Sequence, residues 1–405
     1  MNVYVIGLGY VGLPLALAAA NEGFNVTGFD NDSVKIEKLN KGYCDISNVS
    51  EDEITKLLKS QNIKFVDQLP KQIENSIFII AVPTPLGEDF KPDVSLLEKA
   101  CDYIAESIGS FCLVVNESTS YIGTLRNLIK PRIDRLSTVE SIKYAVAPER
   151  IDPGNKKWNL KNTPRVIAGL TKEAEEVAEN FYSKICHNIV KVSSPEVAEA
   201  AKLLENTFRQ VNIALANEFS NILSGFGVSS HEAIGAAATK PFGFTPFLPS
   251  IGVGGHCIPI DPTYLSYSAN IVNIQTNLID TSNNINSQRF RFIAKKIEEK
   301  LGESMTGKLI QVAGVSYKVG VSDIRESPAL KLISELREMG ARVSWHDPLV
   351  KFVGDEKSIP LNSNIDLGLI VTPHDEIDLS VWKETKTVVF DLSTSTSNFG
   401  WPKFF

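Results

Sequence analysis

Val3-Tyr4-Val5-Ile6 is a short apolar run that feeds into Gly7-Leu8-Gly9-Tyr10-Val11-Gly12, and an apolar helical pattern follows through Ala20. A GxGxxG set between a strand and a helix admits few folds. Its first two glycines permit a tight turn and close approach of a pyrophosphate. The third lets the helix pack on the strand, and the helix N-terminus supplies amide donors and a positive dipole end. The next strand, Asn25 to Phe29, ends at Asp30, 18 residues beyond Gly12. A carboxylate there accepts from a ribose hydroxyl and repels a 2′-phosphate, so NAD is expected rather than NADP.

The alternation of strand and helix continues. Ile77 to Val82 and Leu113 to Val115 read as buried strands, closed by Pro83-Thr84-Pro85 and Asn116-Glu117-Ser118-Thr119. Ligands of an open α/β sheet lie beyond the carboxyl ends of its strands, so Thr84 and Thr119 are expected to face the cofactor. Turn or helix-cap hydroxyls are the competing explanation. Tyr144 to Ala147 leads into Pro148-Glu149-Arg150-Ile151. Glu149 is thus a candidate acid–base group or substrate contact, against a plain salt-bridging role at the surface.

From Pro195 to about Gly225 the period turns helical, with Val197, Ala201, Leu204, Phe208, Val211, Leu215 and Phe219 at three- and four-residue steps. Lys202, Asn206 and Arg209 fall between them on one face. Lys202 and Asn206 together suit an oxyanion or a water; a solvated helix face is the ordinary alternative. Near Lys308 the β-α-β pattern returns without a GxGxxG. Its strands are Leu309 to Val315, Arg342 to Trp345 ahead of Asp347, Leu367 to Val371, and Thr387 to Phe390 ahead of Asp391. The expected fold is α/β: two Rossmann-like doubly wound domains joined by a long central helix region. The expected boundaries are 1–194, 195–300 and 301–405, with the middle part suited to a dimer contact.

A chain of 405 residues exceeds one core. A net charge of −7 argues against broad nucleic-acid binding. Five cysteines, Cys44, Cys101, Cys112, Cys186 and Cys257, show no CxxC spacing, which fits a reducing cytoplasm; no metal is expected. No apolar window is long enough for a membrane span, and the opening strand lacks the basic stretch of a secretory leader. In Gly252-Val253-Gly254-Gly255-His256-Cys257-Ile258-Pro259-Ile260-Asp261 a cysteine follows three glycines and a histidine, four residues ahead of an aspartate. Such a thiol is reachable, and the His and Asp can lower its pKa or relay its proton. A glycine turn around a buried thiol is the alternative.

The stretches GLGYVGLP, VPTP, EST, APERIDPG, AKLLENTFRQVNIALANE, GVGGHCIPIDP and SYKVGVSDIRESPA run in order from position 1 to about 330. In them the chain resembles the nucleotide-sugar 6-dehydrogenases of the UDP-glucose/GDP-mannose dehydrogenase family. The resemblance implies oxidation of a sugar C6 alcohol to a carboxylate with two NAD+ used in turn, in a homodimer or higher homo-oligomer. It implies Cys257 as the nucleophile that forms a thiohemiacetal and then a thioester. Lys202 and Asn206 would stabilise oxyanion charge, Asp261 would assist proton transfer, and Glu149 would serve thioester hydrolysis and substrate contact, with Thr119 at the reacting centre. Gly7, Gly9, Tyr10, Val11, Gly12, Asp30, Lys35, Thr84, Thr119 and Arg325 correspond to NAD contacts. Arg150, Gly254, Gly255 and Lys318 join Glu149, Lys202 and Asn206 as UDP-sugar contacts.

His256 and Ile260 depart from the UDP-glucose pattern. With the stretch Ala238 to Pro246, they are similar to the branch acting on UDP-N-acetylhexosamines. UDP-N-acetylglucosamine is the expected substrate, with UDP-glucose or UDP-N-acetylmannosamine as alternatives, for surface polysaccharide synthesis in the cytoplasm. A non-catalytic NAD and nucleotide-sugar sensor is the reading from another class. It has no need of Cys257, Lys202, Asp261 and Glu149 together.

Overall fold

The computed structural model describes residues 2–46, 49–88, 91–152, 154–155, 157–385, 387–395 and 399–405. Pro153 of the APERIDPG stretch therefore lies outside the described residues. The chain divides into two compact units, Met1–Glu205 with Thr263–Ile274, and Asn206–Pro262 with Gln275–Phe405.

The first unit is built on one sheet of eight strands. They are β1 (Asn2–Ile6), β2 (Asn25–Phe29), β3 (Ile63–Val66), β4 (Ser76–Ile80), β5 (Cys112–Asn116), β6 (Ile142–Val146), β7 (Arg165–Gly169) and β8 (Ile189–Lys191). The order is β3-β2-β1-β4-β5-β6-β7-β8, the doubly wound arrangement with two further strands. Pairing is parallel except where β7 lies antiparallel on β6. Both faces of a parallel sheet are covered by helices, so its strands read as continuous apolar runs. Alternate residues of β1 show this: Val3 and Val5 enter a core with Leu13, Ala16 and Phe181, while Tyr4 and Ile6 enter another with Phe78, Ile104 and Ile129. The short strands β3 and β8 carry exposed residues and gave little sequence signal.

The second unit repeats the motif with β9 (Leu309–Ala313), β10 (Arg342–His346), β13 (Leu367–Ile370) and β14 (Val389–Asp391), in the order β10-β9-β13-β14. A hairpin of β11 (Phe352–Val353) and β12 (Glu356–Lys357) lies between the second and third of these in sequence. The two sheets share one crossing geometry. Gly7 donates its amide to the Phe29 carbonyl at 2.8 Å, and Gly314 donates to the His346 carbonyl at 2.8 Å. Asp30 accepts from the Leu8 amide at 2.9 Å, and Asp347 accepts from the Val315 amide at 2.8 Å. The second unit thus closes the first turn of a nucleotide-type fold without a GxGxxG.

The helix Pro195–Gly225 has the expected span. Val197, Leu204, Phe208, Leu215 and Phe219 are exposed, whereas Lys202, Thr207, Gln210, Asn217 and Ser220 are buried. These five residues of the apolar periodic pattern are therefore exposed, and polar side chains are buried instead. Among Lys202, Asn206 and Arg209 the burial falls from full to none along the helix, so this trio is not a uniformly solvated face.

Gly314 has φ +86°, and a Cβ there would lie 1.9 Å from the Thr372 carbonyl oxygen. Gly314→Ala is expected to cost roughly 2–4 kcal/mol from steric overlap and left-handed strain. Gly354→Ala, with φ +57° and nothing within 4 Å, should cost only about 1 kcal/mol. Denaturant midpoints of the two variants measure the difference. Equal midpoints would mean that the β9 turn relaxes.

Candidate active site

The three glycines of the first turn do different things. A Cβ on Gly7 would lie 2.6 Å from the Ala81 carbonyl oxygen, and one on Gly12 would lie 1.9 Å from the Gly7 carbonyl oxygen. The protein itself needs these two. Gly9 has nothing within 4 Å of the same position, so the space above it is open to a ligand. The helix Gly12–Asn21 begins after Val11 with no side-chain cap and no acidic residue in its first turn. The helices Ser33–Asn40, Glu51–Lys59 and Lys172–Ile185 are capped by Asp32, Ser50 and Thr171. Uncapped first-turn amides at the positive end of the dipole suit a diphosphate.

Asp30 is buried at the end of β2. Its Oδ2 accepts from the Leu8 amide and from Lys35 Nζ at 2.7 Å, and its Oδ1 accepts from the Asp32 amide at 3.1 Å. Lys35 thus offsets part of the charge on which discrimination against a 2′-phosphate rests. Tyr10 and Val11 are half-buried in the glycine loop. Thr84 is buried and donates its hydroxyl to the Thr119 carbonyl at 2.7 Å, a tie between two strand ends. Tyr264, not singled out by the sequence, donates its hydroxyl to the Thr84 carbonyl at 3.1 Å.

Beyond β6, Glu149 is buried with Lys202, and its carboxylate accepts from the Ile151 amide. Glu149 also donates its own amide to the Glu117 carbonyl at 3.4 Å. Here lies a buried set that sequence reasoning missed. Arg165 donates to Glu117 at 3.1 Å and to the Ala147 carbonyl at 3.2 Å, and Tyr182 donates its hydroxyl to Glu117. An arginine opening an edge-proximal strand carries no pattern that would mark it. Burial pushes the Glu149 carboxyl up to about 7; Lys202 and Arg165 pull it down, and Glu117 pushes further up. Arg150 is held as a strut, with 2.7 Å to Glu205 and 2.8 Å to the Pro164 carbonyl.

In the second unit Cys257 is exposed, while Cys101, Cys112 and Cys186 are buried. Burial pushes the Cys101 and Cys112 thiols up to about 12. The Cys257 carbonyl accepts from the Asp261 amide at 2.8 Å and the Ile260 amide at 3.1 Å, which folds the loop into the start of the helix Asp261–Ile271. Asp261 is buried and accepts from Asn206 Nδ2. His256 does not supply a cation next to the thiol. Burial first, then Arg325, hold its pKa down, and its Nε2 is buried with no hydrogen-bond partner among the described residues.

The glycines of this loop are imposed by what faces them. A Cβ on Gly254 would lie 2.8 Å from Pro328 Cδ and from Tyr317 Cβ, and one on Gly255 would lie 2.9 Å from the Tyr317 ring. Lys318 is half-buried on the segment after β9. That segment is braced by His374, whose Nδ1 accepts from the Gly320 amide at 3.0 Å and whose Nε2 lies 3.2 Å from Asp347. Arg325 forks onto Asp323, with Nη2 at 2.6 Å.

Open space over Gly9, helix amides without a cap and a strand-end carboxylate put the first unit in the class of NAD-dependent dehydrogenases. Residues 1–186 match the NAD binding domain of the UDP-glucose/GDP-mannose dehydrogenase family, residues 196–288 its central domain and residues 311–397 its UDP binding domain. The chain belongs to the UDP-glucose/GDP-mannose dehydrogenase family, and it is an NAD-dependent enzyme whose substrate is a UDP-sugar. It is 36% identical over 394 residues to the UDP-N-acetyl-D-mannosamine dehydrogenase of Pyrococcus horikoshii, covering 95% of this chain and 92% of that one. It is 32% identical over 357 residues to the UDP-N-acetyl-D-glucosamine 6-dehydrogenase of Pseudomonas aeruginosa, covering 86% and 83%. The solved structure of the UDP-D-ManNAc dehydrogenase from Pyrococcus horikoshii superposes with a TM-score of 0.87 at 32% identity, covering 99% and 98%. Among the described residues, no helix is long and apolar enough to cross a membrane.

The open position above Gly9 is testable. Gly9→Val is expected to fold as the wild type does and to lose NAD affinity by roughly tenfold or more, because its side chain enters the ligand's space. Gly12→Val is expected to fail to fold. Calorimetric NAD titration with a thermal melt reads both, and undiminished NAD affinity in Gly9→Val would place the diphosphate elsewhere.

Proposed function

We propose that the chain oxidises C6 of a UDP-N-acetylhexosamine from alcohol to carboxylate, with two NAD+ per sugar and with Cys257 as the nucleophile. The observation that carries this is the exposed Cys257 on a glycine-built loop that leads into the buried Asp261, which half-buried Asn206 bonds. NAD+ supplies a hydride acceptor for each oxidation. Cys257 adds through sulfur to the C6 aldehyde, giving a thiohemiacetal whose oxygen takes a proton. Loss of that hydroxyl proton together with a hydride from C6 leaves a thioester. Water then adds at C6, the C–S bond breaks, and the thiol recovers its proton. Lys202 and Asn206 stabilise negative charge on the C6 oxygen, Asp261 moves the proton through water, and Glu149 activates the hydrolytic water. Thr119 acts at the reacting centre and contacts NAD, and Arg150 contacts the UDP-sugar. Tyr10, Val11, Asp30, Lys35, Thr84 and Arg325 contact NAD.

In this reading residues 1–194 bind NAD, 195–300 carry the Cys257 loop and the dimer contact, and 301–405 bind UDP through Lys318. The match of residues 311–397 to a UDP binding domain supports the last assignment. The outward stripe of Leu215, Phe219, Ile222 and Phe226 supports a homodimer, since a contiguous apolar helix face is costly to leave in water. For the sugar, the mannosamine-acting relative at 36% identity favours UDP-N-acetylmannosamine. UDP-N-acetylglucosamine is the second reading, carried by Ala238 to Pro246 and by the relative at 32%. The two are C2 epimers, and NADH formation with each separates them.

Two outcomes test the chemistry. Cys257→Ala should slow NADH formation by roughly 10³-fold or more and form no adduct. Cys257→Ser should accumulate a covalent sugar ester, visible by intact-mass spectrometry, because an ester yields to water far less readily than a thioester. Wild-type turnover by Cys257→Ala, at two NADH per sugar, would falsify the covalent route.

The second outcome concerns pH. Glu149 is neutral below about 7 and ionised above it, so thioester hydrolysis should rise with pH through an ascending limb near 7. Glu149→Gln should remove that limb. For stability the sign is opposite. The folded-state pKa of Glu149 lies above its ordinary value of 4.5, so its contribution is full below about 4.5 and is lost as pH rises through 7. A limb that persists in Glu149→Gln would assign it to another group, the buried Glu199 being the first to examine, since burial raises its pKa to about 7 too.

A further inference from the structure

We propose that Tyr317 is a positioning residue that couples nucleotide occupancy at Lys318 to the placement and reactivity of Cys257. The proposal rests on the reading of Lys318 as a UDP contact and of Cys257 as the nucleophile. All the groups it uses lie in the second unit.

The Tyr317 ring is the wall against which the cysteine loop is built. Three of its ring carbons would stand 2.9, 3.1 and 3.2 Å from a Cβ on Gly255, and its own Cβ would stand 2.8 Å from one on Gly254. Gly255, two residues ahead of Cys257, thus faces the ring and Gly254 faces the Tyr317 Cβ, each too closely for a side chain. One hydrogen bond fixes the register: the Gly255 amide donates to the Arg325 carbonyl at 2.9 Å. Glu326 next to it has φ +51°, a left-handed conformation that a glutamate adopts only when its surroundings hold it there. Glycines have no side chain to absorb a shift of the ring, so displacement of Tyr317 passes directly into the loop.

On its other side Tyr317 is joined to Lys318 by one peptide bond, in a segment pinned at both ends. The Val315 and Ser316 amides donate to Asp347 Oδ2 at 2.8 and 3.1 Å, the Tyr317 amide donates to the Asp323 carbonyl at 3.0 Å, and the Gly320 amide donates to His374 at 3.0 Å. The Ser316 hydroxyl also donates to the Lys318 carbonyl at 3.0 Å, so a charged ligand drawn to Lys318 acts on a short braced stretch that carries the Tyr317 ring with it. Arrival of the nucleotide sets the ring, and the ring sets the height of the Cys257 loop. With the nucleotide seated the loop is held in one place, so Cys257 is presented to the bound sugar and is less open to outside electrophiles than when the loop is loose.

The test uses the full chain, with Tyr317→Phe retaining the ring and Tyr317→Ala removing it. Cys257 is alkylated with iodoacetamide with and without uridine diphosphate, and the site is resolved by mass spectrometry. Wild type and Tyr317→Phe are expected to show a Cys257 labelling rate that uridine diphosphate lowers by about threefold or more. Tyr317→Ala should label faster without the nucleotide. It should bind uridine diphosphate by calorimetry and yet show no change in labelling rate, with reduced kcat and an unchanged KM for NAD. Labelling of the buried Cys101 and Cys112 reports the fold, and Tyr317→Leu replaces the alanine variant if that fails to fold. An equal nucleotide effect in wild type and Tyr317→Ala overturns the coupling, as does its absence from a wild type that binds uridine diphosphate. Failure of the wild type to bind uridine diphosphate overturns the reading of Lys318, and the coupling with it.

Discussion

Each half of the molecule hangs on a carboxylate at the end of a strand. Asp30 holds the Leu8 amide in one sheet, and Asp347 holds the Val315 and Ser316 amides in the other. A turn that leaves its strand over a positive-φ glycine has amides that no ladder satisfies. A buried acceptor on the neighbouring strand satisfies them and fixes where the turn goes. In the first unit the turn so placed runs past Gly9, with open space at its Cβ position, into a helix without a side-chain cap. In the second it aims the Tyr317–Lys318 stretch, and Tyr317 in turn supports the cysteine loop. The same tie thus sets the turn beside Gly9 in one sheet and the support of the cysteine loop in the other.

Around Glu149 the protein keeps charges where burial opposes them. A buried ion pair is a weak source of stability, because desolvation cancels much of the attraction. Arg165, Glu117 and Tyr182 form a closed set in which each polar group meets another. Glu149 lacks so complete a partner, and burial lifts its pKa to about 7. Proton exchange near neutral pH needs a group in that condition. The satisfied network beneath Glu149 makes its less satisfied state tolerable.

The helix Pro195–Gly225 shows what a periodic pattern leaves open. Its apolar stripe faces outward and its buried face holds Asn217, Gln210 and Lys202. Asn217 bonds Asn286 at 3.0 Å and accepts from the Ser250 amide at 2.8 Å, so the inward face is a hydrogen-bonded scaffold for the segment leading to the cysteine loop. A periodic pattern reveals that a helix has two unlike faces. It does not reveal which of them meets the rest of its own chain and which stays exposed.

What the sequence determined by itself was local in origin. GxGxxG between strand and helix, Asp30 at a strand end, repeated β-α alternation and the Gly-Gly-His-Cys run each depend on backbone conformation or short spacing, and such constraints are written in neighbouring residues. Motif order carried the family. Tertiary structure alone decided which glycines serve the protein and which leave room for a ligand, because that depends on atoms such as the Ala81 carbonyl and the Tyr317 ring, remote in sequence. It alone decided that His256 is held neutral, that Arg165 and His374 brace the site, and that Lys202 is buried. Solvation and charge pairing are sums over everything within a few ångströms, and only the folded chain brings those neighbours together.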